Sequence, residues 1–301
     1  MKAKARGFTL VELLVAVVIT LVLAGIVLSV TVSTLNGWRR TQDSFTTGSQ
    51  ATLVLDYLER DLHSAVFKPD GQSWLAIDLD YPVTTHGWLS SGVSKPDVLD
   101  CLPLDGSRPM LGDARFGRTG AWLRLVTNDA PTTSDSTLPV VVSYQVVRRA
   151  LNNATPVDAA NVRYSLFRTV VDGAATFSGG YHVRNYDNQL ALPDSADLLA
   201  TNVVDFGVWL YARDASGRLA LIYPTQTGDV SHSANSTAAV PVAADVFVRI
   251  LTDEGASMIS AIERGIMPAP AEVNSDDWWW RIASAHSNTF IRRVEIQGAG
   301  L

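Results

Sequence analysis

One carboxylate stands where a carboxylate is costly. Glu12 lies in Gly7-Phe8-Thr9-Leu10-Val11-Glu12-Leu13-Leu14-Val15-Ala16-Val17-Val18-Ile19-Thr20, and no other charge occurs between Arg6 and Arg39. From Leu13 to Val30 only Thr20, Gly25 and Ser29 are not strongly apolar. An uncharged run of roughly 20 apolar residues is long enough to cross a bilayer as a helix. Inside such a helix an ionisable group costs a few kcal/mol, and it either protonates or finds a cation. A plain anchor gains nothing from it, so Glu12 is the first candidate functional residue. A secretory signal would carry small residues in an A-x-A-like pattern after the apolar run. Thr31-Val32-Ser33-Thr34-Leu35-Asn36-Gly37-Trp38 offers none. The small residue, Gly7, instead precedes the run and follows a basic leader with Lys2, Lys4 and Arg6.

Other reactive types are sparse. No G-x-S-x-G, H-E-x-x-H, P-loop or G-x-G-x-x-G fingerprint occurs. His63, His86, His182, His232 and His286 show no metal-ligand spacing. Asp78 with Asp80, and Asp194 with Asp197, have oxygen chemistry suited to calcium, but they read as surface loop carboxylates. The single cysteine, Cys101, has no partner for an internal disulfide and no evident base; it reads as a small buried hydrophobe. No catalytic, cofactor or metal site is expected, and the chain does not read as an enzyme.

Gly7-Phe8-Thr9-Leu10-Val11-Glu12 followed by an apolar helix resembles the type III signal of type IV pilins and type II secretion pseudopilins. The resemblance implies that a prepilin peptidase cuts between Gly7 and Phe8 on the cytoplasmic side and methylates the Phe8 amine. It also implies that Glu12 is the glutamate kept five residues into the mature chain. Such a cut would leave an amine four positions before Glu12. The same amine on a neighbouring subunit is also within reach as a partner, so Glu12 could act in subunit assembly. The implied partners are the peptidase, other pilins or pseudopilins, an inner-membrane assembly platform and membrane lipid.

These residues need a long helix to hold them. Leu35, Trp38 and Phe45 are sparse apolar marks beyond the membrane run. Leu55, Leu58, Leu62 and Val66 then form a stripe at helical spacing, with Asp56, Glu59, Arg60 and Asp61 on the other faces. Pro69-Asp70-Gly71 ends the pattern. The expected parts are the leader at 1–7, a transmembrane half at 8–30, an amphipathic half at 31–68 and a globular β-rich domain at 69–301. The leader charges keep the N-terminus in the cytoplasm under the positive-inside rule, with Arg39 and Arg40 weakly opposed. The globular part is then periplasmic or extracellular.

The chain has 301 residues, with 24 basic and 30 acidic side chains and a net charge of −6. Loss of three basic leader residues makes the balance still more acidic. That argues against broad affinity for nucleic acid. Trp74 to Pro109 reads as irregular. Strands are expected at Ala121–Thr127, Val140–Arg149, Val162–Val171, Val203–Arg213, Leu219–Tyr223, Val242–Leu251 and Phe290–Gln297. The second and third form one hairpin, and the fourth and fifth another. Gln226–Ala239 reads as a mobile loop. Asn274-Ser275-Asp276-Asp277 starts a helix running to about His286, with one or two of Trp278, Trp279 and Trp280 in the core.

The expected fold is therefore α+β, a long N-terminal helix packed on an antiparallel sheet. This order is similar to J-type minor pseudopilins and PilW-like minor pilins. Two functions remain open: a structural minor pilin or pseudopilin, possibly at a filament tip, and an adhesin or substrate-binding module displayed on a filament.

Overall fold

The computed structural model describes residues 9–67, 70–79, 116, 120–128, 138–150, 162–225, 230–235, 239–270, 277–297 and 299–300. Gly7, Phe8, Asp80, His86, Cys101, the prolines between 82 and 109, and the connector at 152–156 lie outside these residues. The chain divides into two compact units, residues 1–46 and 47–301. Helix α1, Leu10–His63, contributes to both.

In the first unit the apolar side chains of α1 from Leu10 to Leu35 are exposed. The threonine hydroxyls in this stretch are satisfied within the helix. Thr20, Thr31 and Thr34 each donate to the carbonyl four residues back, at 2.8 Å. What remains outward is hydrocarbon, which suits a lipid environment.

The second unit is built on two antiparallel sheets. The larger has the order β6-β5-β4-β3-β2-β9, and the smaller β11-β10-β7-β8. In chain order β2 is Leu75–Asp78, β3 Trp122–Thr127, β4 Val140–Ala150, β5 Val162–Val171, β6 Leu198–Thr201 and β7 Val203–Arg213. They are followed by β8 Leu219–Tyr223, β9 Ser231–Ala234, β10 Ala243–Leu251 and β11 Ser287–Glu295. Two further short strands, β1 Val66–Phe67 and β12 Ala299–Gly300, pair in parallel. Both expected hairpins form, β4 with β5 and β7 with β8. The chain leaves the large sheet at Thr201 and enters the small one at Val203. Asn202 makes that bend at φ 60, a left-handed conformation that asparagine tolerates.

The last turns of α1 bury Ala51, Val54, Leu55, Leu58 and Leu62 in the core. The helix is tied to both sheets. Gln50 donates to the Thr201 hydroxyl at 3.2 Å, Asn288 donates to Thr47 at 3.0 Å, and Arg292 reaches Asp56 at 2.6 Å and Glu59 at 2.7 Å. Asp61, expected on a polar face, is fully buried. It lies three residues after Leu58 and directly before Leu62, so the apolar stripe carries it into the sheet. There it accepts from the Tyr144 hydroxyl of β4 and from Arg168 of β5, whose Nε and Nη2 approach at 2.8 and 3.0 Å.

Several expectations need correction. The helix ends at His63 rather than at 68, because Ala65 bridges Thr127 and Val66 already pairs with Ala299 as strand. Leu75–Asp78, read as irregular, is a strand between β3 and β9. Ser231–Ala234, read as part of a loop, is that edge strand β9, and its pairing to Leu75–Asp78 is non-local. Strand β4 alternates as expected, yet both its faces are buried. The connection from β5 to β6 folds over the second face through α2 (Gly173–Ser178), a 3₁₀ turn at Val183–Tyr186 and α3 (Asp187–Leu190). Trp122 accordingly donates to Ser143 at 2.7 Å, and Gln145 to the Leu190 carbonyl at 2.5 Å. Two more helices are α4, Asp253–Glu263, and α5, Asp277–Ala285. In α5 Trp279 is fully buried, while Trp278 and Trp280 are half-buried.

A soluble fragment beginning near Asn36 is expected to fold, since the core lies wholly in the second unit. Within it, Arg168→Met should cost about 3–5 kcal/mol by stranding the Asp61 charge. Arg292→Ala, at a largely exposed pair, should cost under about 1 kcal/mol. Urea unfolding followed by circular dichroism measures both, and equal costs would contradict the burial assigned to Asp61.

Candidate functional site

The sequence places the candidate chemistry at the start of α1. Thr9 and Glu12 form a reciprocal cap there. The Thr9 N–H and hydroxyl both donate to Glu12 Oε2 at 2.9 Å, and the Glu12 N–H donates to Thr9 Oγ1 at 3.2 Å. This is a capping box, with threonine at the N-cap and glutamate three residues on. It satisfies two helix donors that would otherwise lack partners. It also gives the carboxylate two donors within its own chain, and its negative charge lies at the positive end of the helix. The sequence reading missed this role for Thr9, although the T-x-x-E spacing before an apolar run is a legible signal. Gly7 and Phe8 fall outside the described residues, so no geometry accompanies them. Around Glu12 the side chains of Leu10, Val11, Leu13 and Leu14 are all exposed.

The second unit holds the other candidate groups. Asp78 is engaged by Arg124 and, at 3.2 Å, by both terminal nitrogens of Arg184. Asp194 and Asp197 close a capping box around Ser195. These carboxylates are committed to protein partners. Among the described residues no group of three His, Cys, Asp or Glu side chains gathers as a metal site. His182 is held on the backbone of Ser73 at 3.2 Å. A small cavity lined by Val162, Tyr164, Asn202, Leu251, Ile259 and Glu263 has room for about one water molecule.

Among the described residues, three further ionic clusters hold elements of this unit together. Asp61, Tyr144 and Arg168 join α1 to the large sheet. Glu263 of α4 accepts from Arg148 at 2.9 Å and from the Tyr164 hydroxyl. Asp245 of β10 accepts from Arg293 at 2.6 Å and from Tyr211 at 2.8 Å. Burial, and then the Asp61 charge, pushes the Tyr144 phenol well above its ordinary value. Burial, and then the hydrogen bond to Asp245, raises Tyr211 to about 12. Each cluster bridges separate elements, which is a structural arrangement. Thr252 caps α4 by accepting from the Gly255 N–H at 3.2 Å, a start signal in Thr252-Asp253-Glu254 that the sequence reading left unused.

Among the described residues the N-terminal segment stands out as the candidate site: a capped carboxylate at the head of an exposed apolar helix. Comparison with protein families agrees on that segment. Residues 2–28 match the prokaryotic N-terminal methylation motif. No curated protein and no solved structure matches the chain. The motif supports a type IV pilin-like or pseudopilin precursor, and it implies processing by prepilin peptidase and assembly with other pilins. The apolar helix fits membrane anchoring through the N-terminus.

Two outcomes follow from this geometry. Thr9→Val removes the cap and should cost about 1 kcal/mol of local helix stability. Faster amide exchange in the first turn, with the rest of α1 unchanged, is the readout. At high pH the raised phenols make the folded state bind protons that the unfolded state has lost. Their contribution is complete below the unfolded value near 10 and disappears as pH rises through the folded values, about 12 for Tyr211. Between about pH 10 and 12 stability should therefore fall, and Tyr144→Phe with Tyr211→Phe should flatten that fall in urea titrations.

Proposed function

We propose that this chain is a minor pilin or pseudopilin, a structural subunit of a type IV pilus or a type II secretion-like filament. The observation that carries the reading is the methylation motif on a capped, apolar helix whose continuation packs into its own two-sheet domain. In this reading prepilin peptidase cuts between Gly7 and Phe8 and methylates the Phe8 amine. The leader stays in the cytoplasm, α1 crosses the inner membrane once, and the globular domain lies beyond it. The assembly platform draws the subunit from lipid into the filament, where Glu12 pairs with the amine of a neighbour. A place at the filament tip and a J-type or PilW-like role belong to the same reading. They rest on length, on strand order and on the hairpin patterns at Val142–Tyr144 and Tyr164–Arg168.

The physics of Glu12 gives this reading its direction. Thr9 supplies hydrogen bonds but no charge. When the helix head enters a packed helical core, the carboxylate meets a lower dielectric, and neutral donors alone then leave its charge uncompensated. An amine from a neighbouring subunit supplies that charge. The carboxylate therefore acts chiefly between subunits.

Intact-mass measurement of the membrane-extracted protein should give a chain that begins at Phe8 and carries one methyl group. A chain still starting at Met1, or cut beyond Val30, rules the processing out. Glu12→Gln keeps shape and loses charge, so it should retain cleavage and membrane insertion while losing cross-links to partner pilins. Full cross-linking by that variant would remove the intersubunit role of Glu12.

A further inference from the structure

The apolar run of α1 is longer than a bilayer needs. Leu10–Leu35 is 26 residues, against the roughly 20 that cross the hydrocarbon core. A spare turn and more would let the helix slide, and Glu12 would slide with it. Something must fix the depth. Directly after the run the composition changes at Asn36-Gly37-Trp38-Arg39-Arg40. Trp38 is 70% exposed and takes no part in the hydrophobic core. Tryptophan is enriched at the level of the lipid headgroups, where its ring is half apolar and its N–H can find water or phosphate. Two arginines follow it in sequence, Arg39 and Arg40, a residue type that donates readily to phosphate.

We infer that Trp38, with Arg39 and Arg40, is a bilayer-interface anchor in the leaflet opposite the leader, and that it holds Glu12 in the headgroup layer of the other leaflet. This rests on reading α1 as the membrane segment of a pilin-like precursor. The distance decides it. Glu12 and Trp38 are 26 positions apart, or about 39 Å along a helix. A typical tilt of about 20° shortens the span across the membrane only to about 37 Å. The hydrocarbon core is about 30 Å thick, and the bilayer with headgroups about 40–45 Å. With Trp38 at one interface, Glu12 falls at the other, outside the hydrocarbon. There water and the Thr9 donors are enough for the carboxylate, so the waiting precursor needs no cation for it. The need for a partner arises only when the helix is lifted and Glu12 is drawn into the core.

The occupant of the Trp38 surface is therefore lipid, by continuity with the apolar run. A sister helix is the competing occupant. The full chain is reconstituted in phospholipid vesicles with nitroxide-labelled lipid, and the emission of Trp38 is taken as wild type minus Trp38→Phe. Quenching should be strong with the label next to the headgroup and weak with the label at the chain terminus. Stronger quenching by the deep label overturns the anchor. No quenching by either label, from a chain that still resists alkaline carbonate, also overturns it and leaves water or a sister helix at Trp38. Release of the chain by carbonate overturns the membrane reading itself, and the anchor with it. The second half of the inference is read in a Cys101→Ala background. Leu10→Cys should react with a water-soluble maleimide supplied on the leader side about tenfold or more faster than Ala16→Cys, which is held in hydrocarbon. Equal, slow labelling of both would place Glu12 in the hydrocarbon and sink the proposal.

Discussion

A single helix meets two surroundings, and the rest of the structure depends on how its two carboxylates are compensated. Glu12 and Asp61 lie on the same α1. Asp61 is enclosed by protein, so its charge must be met by charge. Arg168 meets it at two atoms and Tyr144 adds a hydroxyl. Among the described residues Glu12 is met by the Thr9 hydroxyl and N–H. The difference separates a finished site from an unfinished one. The buried junction is complete within the monomer and fixes the helix on its sheet. Among the described residues the N-terminal carboxylate meets neutral donors alone.

The globular unit follows from that junction. With α1 held against one face of the large sheet, the other face needs a cover of its own. The β5–β6 connection supplies it, pinned where Arg124 reaches Asp187 at 2.5 Å and Gln145 reaches the Leu190 carbonyl. The small sheet closes the opposite side of the helix through Arg292 and Asn288. Core polar groups such as Ser143 and Arg168 are then buried at little cost, because each finds a named hydrogen-bond partner.

Much of the fold was legible because it is local. The apolar run, the helical stripe at Leu55, Leu58 and Leu62, and both hairpins are written in residues near one another in the chain. Their periodicities of 3.6 and 2 carry the signal. The two missed strands share one cause. Ser231–Ala234 is a strand only because Leu75–Asp78 lies beside it, and Leu75–Asp78 is a strand only because β3 does. Neither segment has a strong pattern of its own, and pairing partners some 150 residues apart leave no mark in a short window. The cap residues Thr9 and Thr252 are a different case: their spacing was visible, and only its meaning was passed over.

The N-terminal pattern is local. A glycine between a basic leader and an apolar run, a threonine three residues before a lone glutamate, and a tryptophan with two arginines past the run are all local patterns. Each acts through the helix geometry that the same residues impose. The tertiary structure alone decided what the rest of the charge does. It turned Asp61 inward, gave it Arg168 and Tyr144 from strands about a hundred residues away in sequence, and joined Asp78 to Arg124 and Arg184. It also placed Trp279, of three adjacent tryptophans, in the core. These outcomes depend on which surfaces come together, and burial sets the cost of a charge only after they have done so.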